Sequence, residues 1–241
     1  MLPSLLFNAM INPIVPYTIR GVIWYQGENN AGRAYDYRSL FPNLIADWRS
    51  QWKTDFPFYW VQLANYMAKE KSPEDSDWAK LRDAQTRTLR LAHTGQAVIT
   101  DIGEADDIHP RNKQEVGRRL ALIALAKNYG RKNLVYSGPT FKSVVKEGNK
   151  LIISFDVTGG ELVVNNKYGY VEGFALAGAD KNLFGPRLIL MVIELLFTQI
   201  SSAALYLSAT PGAIIPMSIY SIKKACPLYL SAMRNKHTEP R

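Results

Sequence analysis

Residues 95–130 read GQAVITDIGEADDIHPRNKQEVGRRLALIALAKNYG, and three kinds of segment follow one another in them. GQAVITD (95–101) is a β-rich apolar run that reads as a buried strand. IGEADDIHP is a polar loop. RNKQEVGRRLALIALAKNYG (111–130) has helical character and closes on a glycine, the residue best suited to end a helix in the left-handed conformation. The same alternation runs upstream. IRGVIWY (19–25) predicts a strand that ends at the turn-like QGENN. DYRSLFPNLIADWRSQW, from Asp36, predicts a helix whose apolar face carries Leu40, Leu44 and Trp48. PFYWVQLAN (57–65) predicts a second strand, and WAKLRDAQTRTLRLA (78–92) an amphipathic helix with Leu81, Ala84, Thr88 and Leu91 on one face. Strands alternating with helices predict an α/β domain built on a mostly parallel sheet. In such sheets chemistry gathers where strands end at their C-terminal edge. QGENN and DDIHP both fall at such ends.

The bulk properties narrow the class. The 241 residues suffice for one large domain or two small ones, and 47% hydrophobic residues exclude global disorder. The formal net charge is +8, and six Lys/Arg against two Glu from Leu183 onward place half of that excess in the last quarter. No basic stripe with interleaved aromatics marks the rest, so a nucleic-acid partner is not expected. Cys226 is the single cysteine, and His93, His109 and His237 stand far apart, so neither a disulfide nor a metal site is expected. Met1–Ser4 has no signal-peptide pattern.

Two short constellations carry chemistry. In DDIHP, Asp106 and His109 stand at i, i+3. A carboxylate there can accept the Nδ1 hydrogen of the imidazole and stabilise the imidazolium formed when the ring takes a proton from a hydroxyl. Asp107, at i, i+2, is less suited to the same turn. The plain alternative is an exposed loop histidine ahead of a helix. Gln26, Gly27 and Glu28 follow the strand ending at Tyr25. A side-chain amide beside a glycine at a strand end can form an oxyanion hole, and an ordinary turn is the alternative. Asn29 and Asn30 read as turn formers or supporting donors. Arg111 is either a bidentate carboxylate binder or a solvated residue of the first helical turn. Of the tryptophans, Trp24, Trp48 and Trp60 are expected in the core. Trp78 is expected as a surface staple, with stacking on a sugar as the alternative.

Together GVIWYQGENNAG, LFPNLIADWRSQW, DFPFYWVQLANY and DIGEADDIHPRNKQEVGRRLALIALAKNYG resemble the sialate 9-O-acetylesterase family of SGNH hydrolases, from about Leu5 to Asn182. The resemblance implies a flavodoxin-like three-layer α/β fold with an appended β domain, of which this chain holds part. It implies His109 as general base, Asp106 as its orienting acid and Gln26 as oxyanion donor, with Gly27, Glu28, Asn29 and Arg111 around the substrate. The implied reaction is hydrolysis of acetyl esters on sialic acid or related sugars, with no metal or cofactor, in an exported protein. The family's nucleophilic serine lies in a G-Q-S-N-like block well upstream of WYQGEN, and only 25 residues precede Gln26 here. Ser4, Ser39 and Ser50 lack that context. The expectation is a chain truncated at an internal start, with weak residual activity at most, and the alternative is a pseudoenzyme that holds acetylated sugar without cleaving it.

The expected organisation is therefore residues 1–133 as the later part of the hydrolase domain, 134–182 as the start of an antiparallel β domain, and 183–241 as a different kind of segment. YSGPTFKSVVKEGNKLIISFDVTGG alternates polar and apolar residues around glycine turns, as half-buried antiparallel strands do. From Leu183 the chain is apolar with neither helical nor strand periodicity. Codons chosen for Leu183–Leu196 and read two bases out of frame yield F-W-A-K-A-Y-I-D-G, which resembles the family. The same offset gives family-like V-S-Y-A-W-G-D-N-P-D and Y-K-K-G-L-P further on. A frameshifted tail is thus expected. The alternative is a membrane anchor over Leu188–Leu207, about the 20 residues a bilayer requires, although Glu194 and Gln199 speak against it.

Overall fold

A computed structural model describes residues 4–68, 76–147 and 150–156, together with short strands at 176–177, 183–184 and 202–208. After a helical N-terminal segment, β1 (Val22–Trp24) leads through a 3-10 turn (Glu28–Arg33) into α1 (Ala34–Trp52). Then come β2 (Phe58–Val61), α2 (Asp77–Arg87), β3 (Thr94–Ala97) and α3 (Lys113–Lys127). The three strands form one sheet in the order β1-β2-β3, all parallel. The expected alternation of strand and helix therefore gives the expected parallel sheet.

Helices cover both faces. Phe58 and Trp60 of β2 point to one side and join Tyr37, Phe41 and Ile45 of α1 with Trp78, Leu81 and Ala84 of α2. Tyr59 and Val61 point to the other side and pack with Ala97, Ile99 and Val116, Leu120 and Ile123 of α3. β2 is buried at all four positions, as the middle strand of a sheet covered on both faces must be. Each such large apolar side chain contributes on the order of 1.5–3 kcal/mol by leaving water. Ile23 shares the α3 face with Tyr59, yet it is 71% exposed because α3 does not reach β1.

Local chemistry sets the helix ends. Ser76 caps α2 by accepting from Ala79 N–H at 3.4 Å, and Asn112 caps α3 by accepting from Glu115 N–H at 3.1 Å. α3 ends at Asn128, and Gly130 follows at φ +70°, in the left-handed region anticipated for it.

Three sequence expectations need correction here. The buried stripe of α1 is Tyr37, Phe41 and Ile45, with Leu44, Trp48 and Trp52 at its margin, whereas Leu40 is 55% exposed. The stripe was placed one residue off because Tyr37 and Phe41 fill the space over β2. Trp78 is not a surface staple: it is 7% exposed, its ring lies tilted against Tyr66, and it donates from Nε1 to Ala64 O at 2.7 Å. The helix expected to run to residue 92 gives way at Thr88 to a 3-10 turn over Thr88–Arg90, where the buried Thr88 hydroxyl bonds Ala84 O at 3.2 Å.

Beyond residue 134 the expected antiparallel pairing is present. β4 (Thr140–Glu147) pairs antiparallel with β5 (Lys150–Asp156), and short strands β6 (Leu176–Ala177) and β7 (Leu183–Phe184) pair with each other. The segment read as lacking strand periodicity contains β8 (Ser202–Ser208), antiparallel to β5 from Ser202↔Asp156 to Ser208↔Lys150. Main-chain pairing needs no alternation of side chains, so it escaped a reading based on periodicity. Among the described residues no helix is long and apolar enough to cross a membrane. The remainder of the expected anchor and of the expected frameshifted tail lies outside the described residues.

Candidate active site

Gln26 leaves β1 at the C-terminal edge of the sheet, and its side chain is held at both ends. The Tyr37 hydroxyl donates to Gln26 Oε1 at 3.0 Å, and Gln26 Nε2 donates to Asn30 Oδ1 at 2.7 Å. An amide nitrogen carries two hydrogens, so one remains for an incoming group. Burial pushes the Tyr37 hydroxyl up to about 12, which keeps it a donor at ordinary pH. Gly27 adopts φ +147°, and a Cβ there would meet Leu81 Cδ2 at 3.1 Å and Gln85 Nε2 at 3.2 Å. The conformation therefore calls for glycine, and a Cβ would also crowd the ends of these two side chains. Gly27 O accepts from Asn30 N–H at 2.8 Å, which closes the turn. Glu28 opens the 3-10 segment and Asn29 is exposed beside it.

Below this turn lies Gln85 of α2, fully buried. Its Oε1 accepts from Leu63 N–H at 3.0 Å, and its Nε2 donates to Gln26 O at 3.2 Å and Val61 O at 3.4 Å. One side chain thus ties the exits of β1 and β2 together. The sequence reading did not single it out. Its signal was a polar residue adjoining the apolar stripe of an amphipathic helix.

His109 lies in the loop after β3, at the same edge. The sequence paired it with Asp106, but the carboxylate beside it is Asp107. Asp107 Oδ1 accepts from His109 N–H at 2.8 Å and lies 3.8 Å from Nδ1. That backbone hydrogen bond, followed by the nearby Arg111 charge, holds the Asp107 carboxyl below the usual range. The physical reason is local. An aspartate two residues before an N–H closes an Asx turn with it, and this turn takes up Asp107 and turns Asp106 outward to solvent. Among the described residues, no hydrogen bond or ion pair joins Asp106 to His109. The imidazole is 84% exposed. Arg111 is 79% exposed and stands 3.6 Å from Asp107 Oδ2 and 3.8 Å from Glu104 Oε2, a solvated residue with loose ion partners.

The loop that carries His109 is pinned along its length. Arg119 grips Asp101 through two hydrogen bonds of 2.6 Å, with Asp101 raising its basicity further, and also bonds Val98 O at 2.6 Å. Asn65, at the exit of β2, bonds Gly103, and Met67 N–H reaches Ala105 O at 2.9 Å. Toward β1, Lys113 Nζ sits 4.8 Å over the Tyr25 ring. Ile108 packs on the same core as Trp24 and Tyr25. Gln26 and His109 are thus brought to one edge of one sheet on the exits of β1 and β3, flanking that of β2, without a direct bond between them.

The candidate hydroxyls lie elsewhere. Ser39 is exposed on α1, and Ser50 lines a hollow of about 400 Å³ with Arg49, Lys53 and Asp55 at the opposite edge, where β2 and β3 begin. Ser76 lies toward the Gln26 edge but is engaged as the cap of α2. Among the described residues no three His, Cys, Asp or Glu side chains gather into a metal-ligand set.

Comparison with known proteins gives this edge its context. Residues 5–126 match the family model described as carbohydrate esterase, sialic acid-specific acetylesterase. The match covers half of the chain and both loops, and the chain belongs to that family. It is 43% identical over 160 residues to the sialate O-acetylesterase of Mus musculus and 41% identical over 155 residues to that of Homo sapiens. These alignments cover 58% and 56% of this chain and 29% of each relative. A solved carbohydrate acetylesterase from Xanthomonas citri superposes with a TM-score of 0.75 at 44% identity, over 87% of this chain and 46% of that one. The chain spans less than a third of the length of these curated relatives.

Proposed function

We propose that this chain carries the base and the oxyanion donor of an SGNH-type esterase site acting on O-acetyl groups of sialic acid or a related sugar. The observation that carries the reading is the placement of Gln26 and His109 on strand exits at one edge of a parallel sheet, within residues matched to the acetylesterase family. His109 takes the proton of a hydroxyl as its oxygen attacks the acetyl carbon. Asp107, which closes the turn and lies 3.8 Å from Nδ1, is the carboxylate beside the ring. The negative oxygen of the tetrahedral species accepts the second Nε2 hydrogen of Gln26, beside the close backbone approach that Gly27 permits. Collapse expels the sugar hydroxyl, which recovers the proton from His109, and acetate leaves. Glu28 and Asn29 form the polar rim, and Arg111 supplies a cation for a sugar carboxylate.

Among the described residues no serine hydroxyl bonds the His109 ring, and water is the attacking hydroxyl in this reading. Oxyanion donor and binding without a nucleophile leave a residual acceleration of roughly 10³–10⁴ over water. The test is acetate release from O-acetylated sialic acid by the full chain and by His109→Ala and Gln26→Ala. Slow release above buffer, lost in His109→Ala and reduced roughly 10²-fold in Gln26→Ala, is expected. Rapid release unaffected by His109→Ala, or none above buffer in the wild type, contradicts the reading.

A further inference from the structure

We propose that Asn65 is the positioning residue that sets the place of His109; this rests on the reading of His109 as the base. The imidazole is 84% exposed, so side-chain packing does not hold it. Its location is that of its loop, and the loop is fixed from two sides. On the α3 side, Arg119 anchors Asp101 where the loop leaves the sheet. On the β2 side, the side chain of Asn65 satisfies both backbone groups of one loop residue. Its Oδ1 accepts from Gly103 N–H at 2.8 Å and its Nδ2 donates to Gly103 O at 3.2 Å.

Only a carboxamide places a donor and an acceptor side by side in this way, and the shorter Asn fits where the backbones nearly touch. A Cβ on Gly103 would collide with the Asn65 carbonyl oxygen. Two residues on, the Met67 N–H to Ala105 O bond continues the same seam. β2 lies between the strands that deliver Gln26 and His109. Asn65 therefore fixes the His109 loop relative to the middle strand, and Gln85 fixes the Gln26 loop to that same strand through Leu63 and Val61. The separation of base and oxyanion donor is referred to β2 from both sides.

The experiment uses the full chain with isotope-labelled histidines, whose ring resonances are assigned with His93→Gln, His109→Gln and His237→Gln. Asn65→Ala and Gly103→Ala are each expected to shift or split the His109 ring signals while leaving those of His93 in place. Amide exchange across residues 103–109 is expected to accelerate roughly tenfold, as loss of a local hydrogen-bonded seam does. Asn65→Asp keeps the acceptor for Gly103 N–H but sets a carboxylate oxygen against Gly103 O, so it is also expected to shift the His109 ring signals, and it serves if the alanine variants fail to fold. Thr88→Ala, a destabilising change remote from the loop, is expected to lower Tm without moving His109. If Asn65→Ala lowers Tm but leaves the His109 signals and loop exchange at wild-type values, Asn65 is a stability residue and the proposal is overturned. If His93 moves as much as His109, it is likewise overturned. Acetate release does not enter these readouts, so failure of the esterase reading is distinguished from failure of this one.

Discussion

The Tyr37 hydroxyl donates to Gln26 Oε1 at 3.0 Å, and this bond decides which end of the Gln26 amide faces outward. With Oε1 occupied, Nε2 is the end turned toward Asn30 and the strand exit. Tyr37→Phe keeps the ring stacked on Phe41 but frees the amide to rotate. The expected outcome is a stability loss of about 1 kcal/mol in urea unfolding, the usual net value of one hydrogen bond. Acetate release should fall by less than in Gln26→Ala, because the donor survives but is oriented only part of the time.

Gly27→Ala is expected to be more damaging. The residue stands at φ +147°, and its new methyl group would press on Leu81 and Gln85. A non-glycine residue in such a conformation costs about 1–3 kcal/mol before any clash is added. Urea unfolding of Gly27→Ala against Gly32→Ala, where a Cβ meets nothing within 4 Å, separates this strain from a general glycine effect.

Gln85→Leu removes a buried amide whose three partners are all main-chain groups. Leucine fills similar space yet leaves Leu63 N–H and the carbonyls of Gln26 and Val61 without this partner. A buried unsatisfied group costs about 1–3 kcal/mol, so Gln85→Leu should destabilise more than Tyr37→Phe. Chemical denaturation of the two variants side by side checks the order.

The pH dependence of stability has a determinate sign. Two hydrogen bonds from Arg118, then one from Arg119, outweigh the opposing effect of burial and hold Glu115 down to about 2 against its ordinary 4.5. A depressed carboxylate contributes stability that is fully present above about pH 4.5 and is lost as pH falls toward 2. Glu115→Gln should therefore be less stable than the wild type near pH 7, and the two should converge as pH falls below about 2. Burial, with Glu28 adding, raises Tyr25 to about 12. Its contribution has the opposite sense, being present below about pH 10 and lost as pH rises toward 12. Thermal unfolding of the wild type and Glu115→Gln from acid to neutral pH measures the first window.

What the sequence made legible follows from what acts locally. Strand–helix alternation and the helix-ending Gly130 depend on near neighbours, and these matched the structure. The exits bearing Gln26 and His109 were readable because parallel strands send their following loops to one edge. The choice between Asp106 and Asp107 turned on a competition inside one turn, in which an Asx bond to His109 N–H took the nearer carboxylate. Asn65 and Gln85 were not legible, because each acquires its role only from partners 38 and 22 residues away. Trp78 was misplaced for the same reason: its partner Ala64 O comes from another element.

The most direct test of the central claim, that Gln26 and His109 face one bound acetyl group, is an NMR titration of the full chain with O-acetylated sialic acid and, separately, with its deacetylated form. The account predicts that the Gln26 side-chain amide and the His109 ring shift together along one binding curve, and more strongly with the acetylated sugar. If the two respond at different ligand concentrations, or respond equally to the deacetylated sugar, they do not share an acetyl site and the account fails.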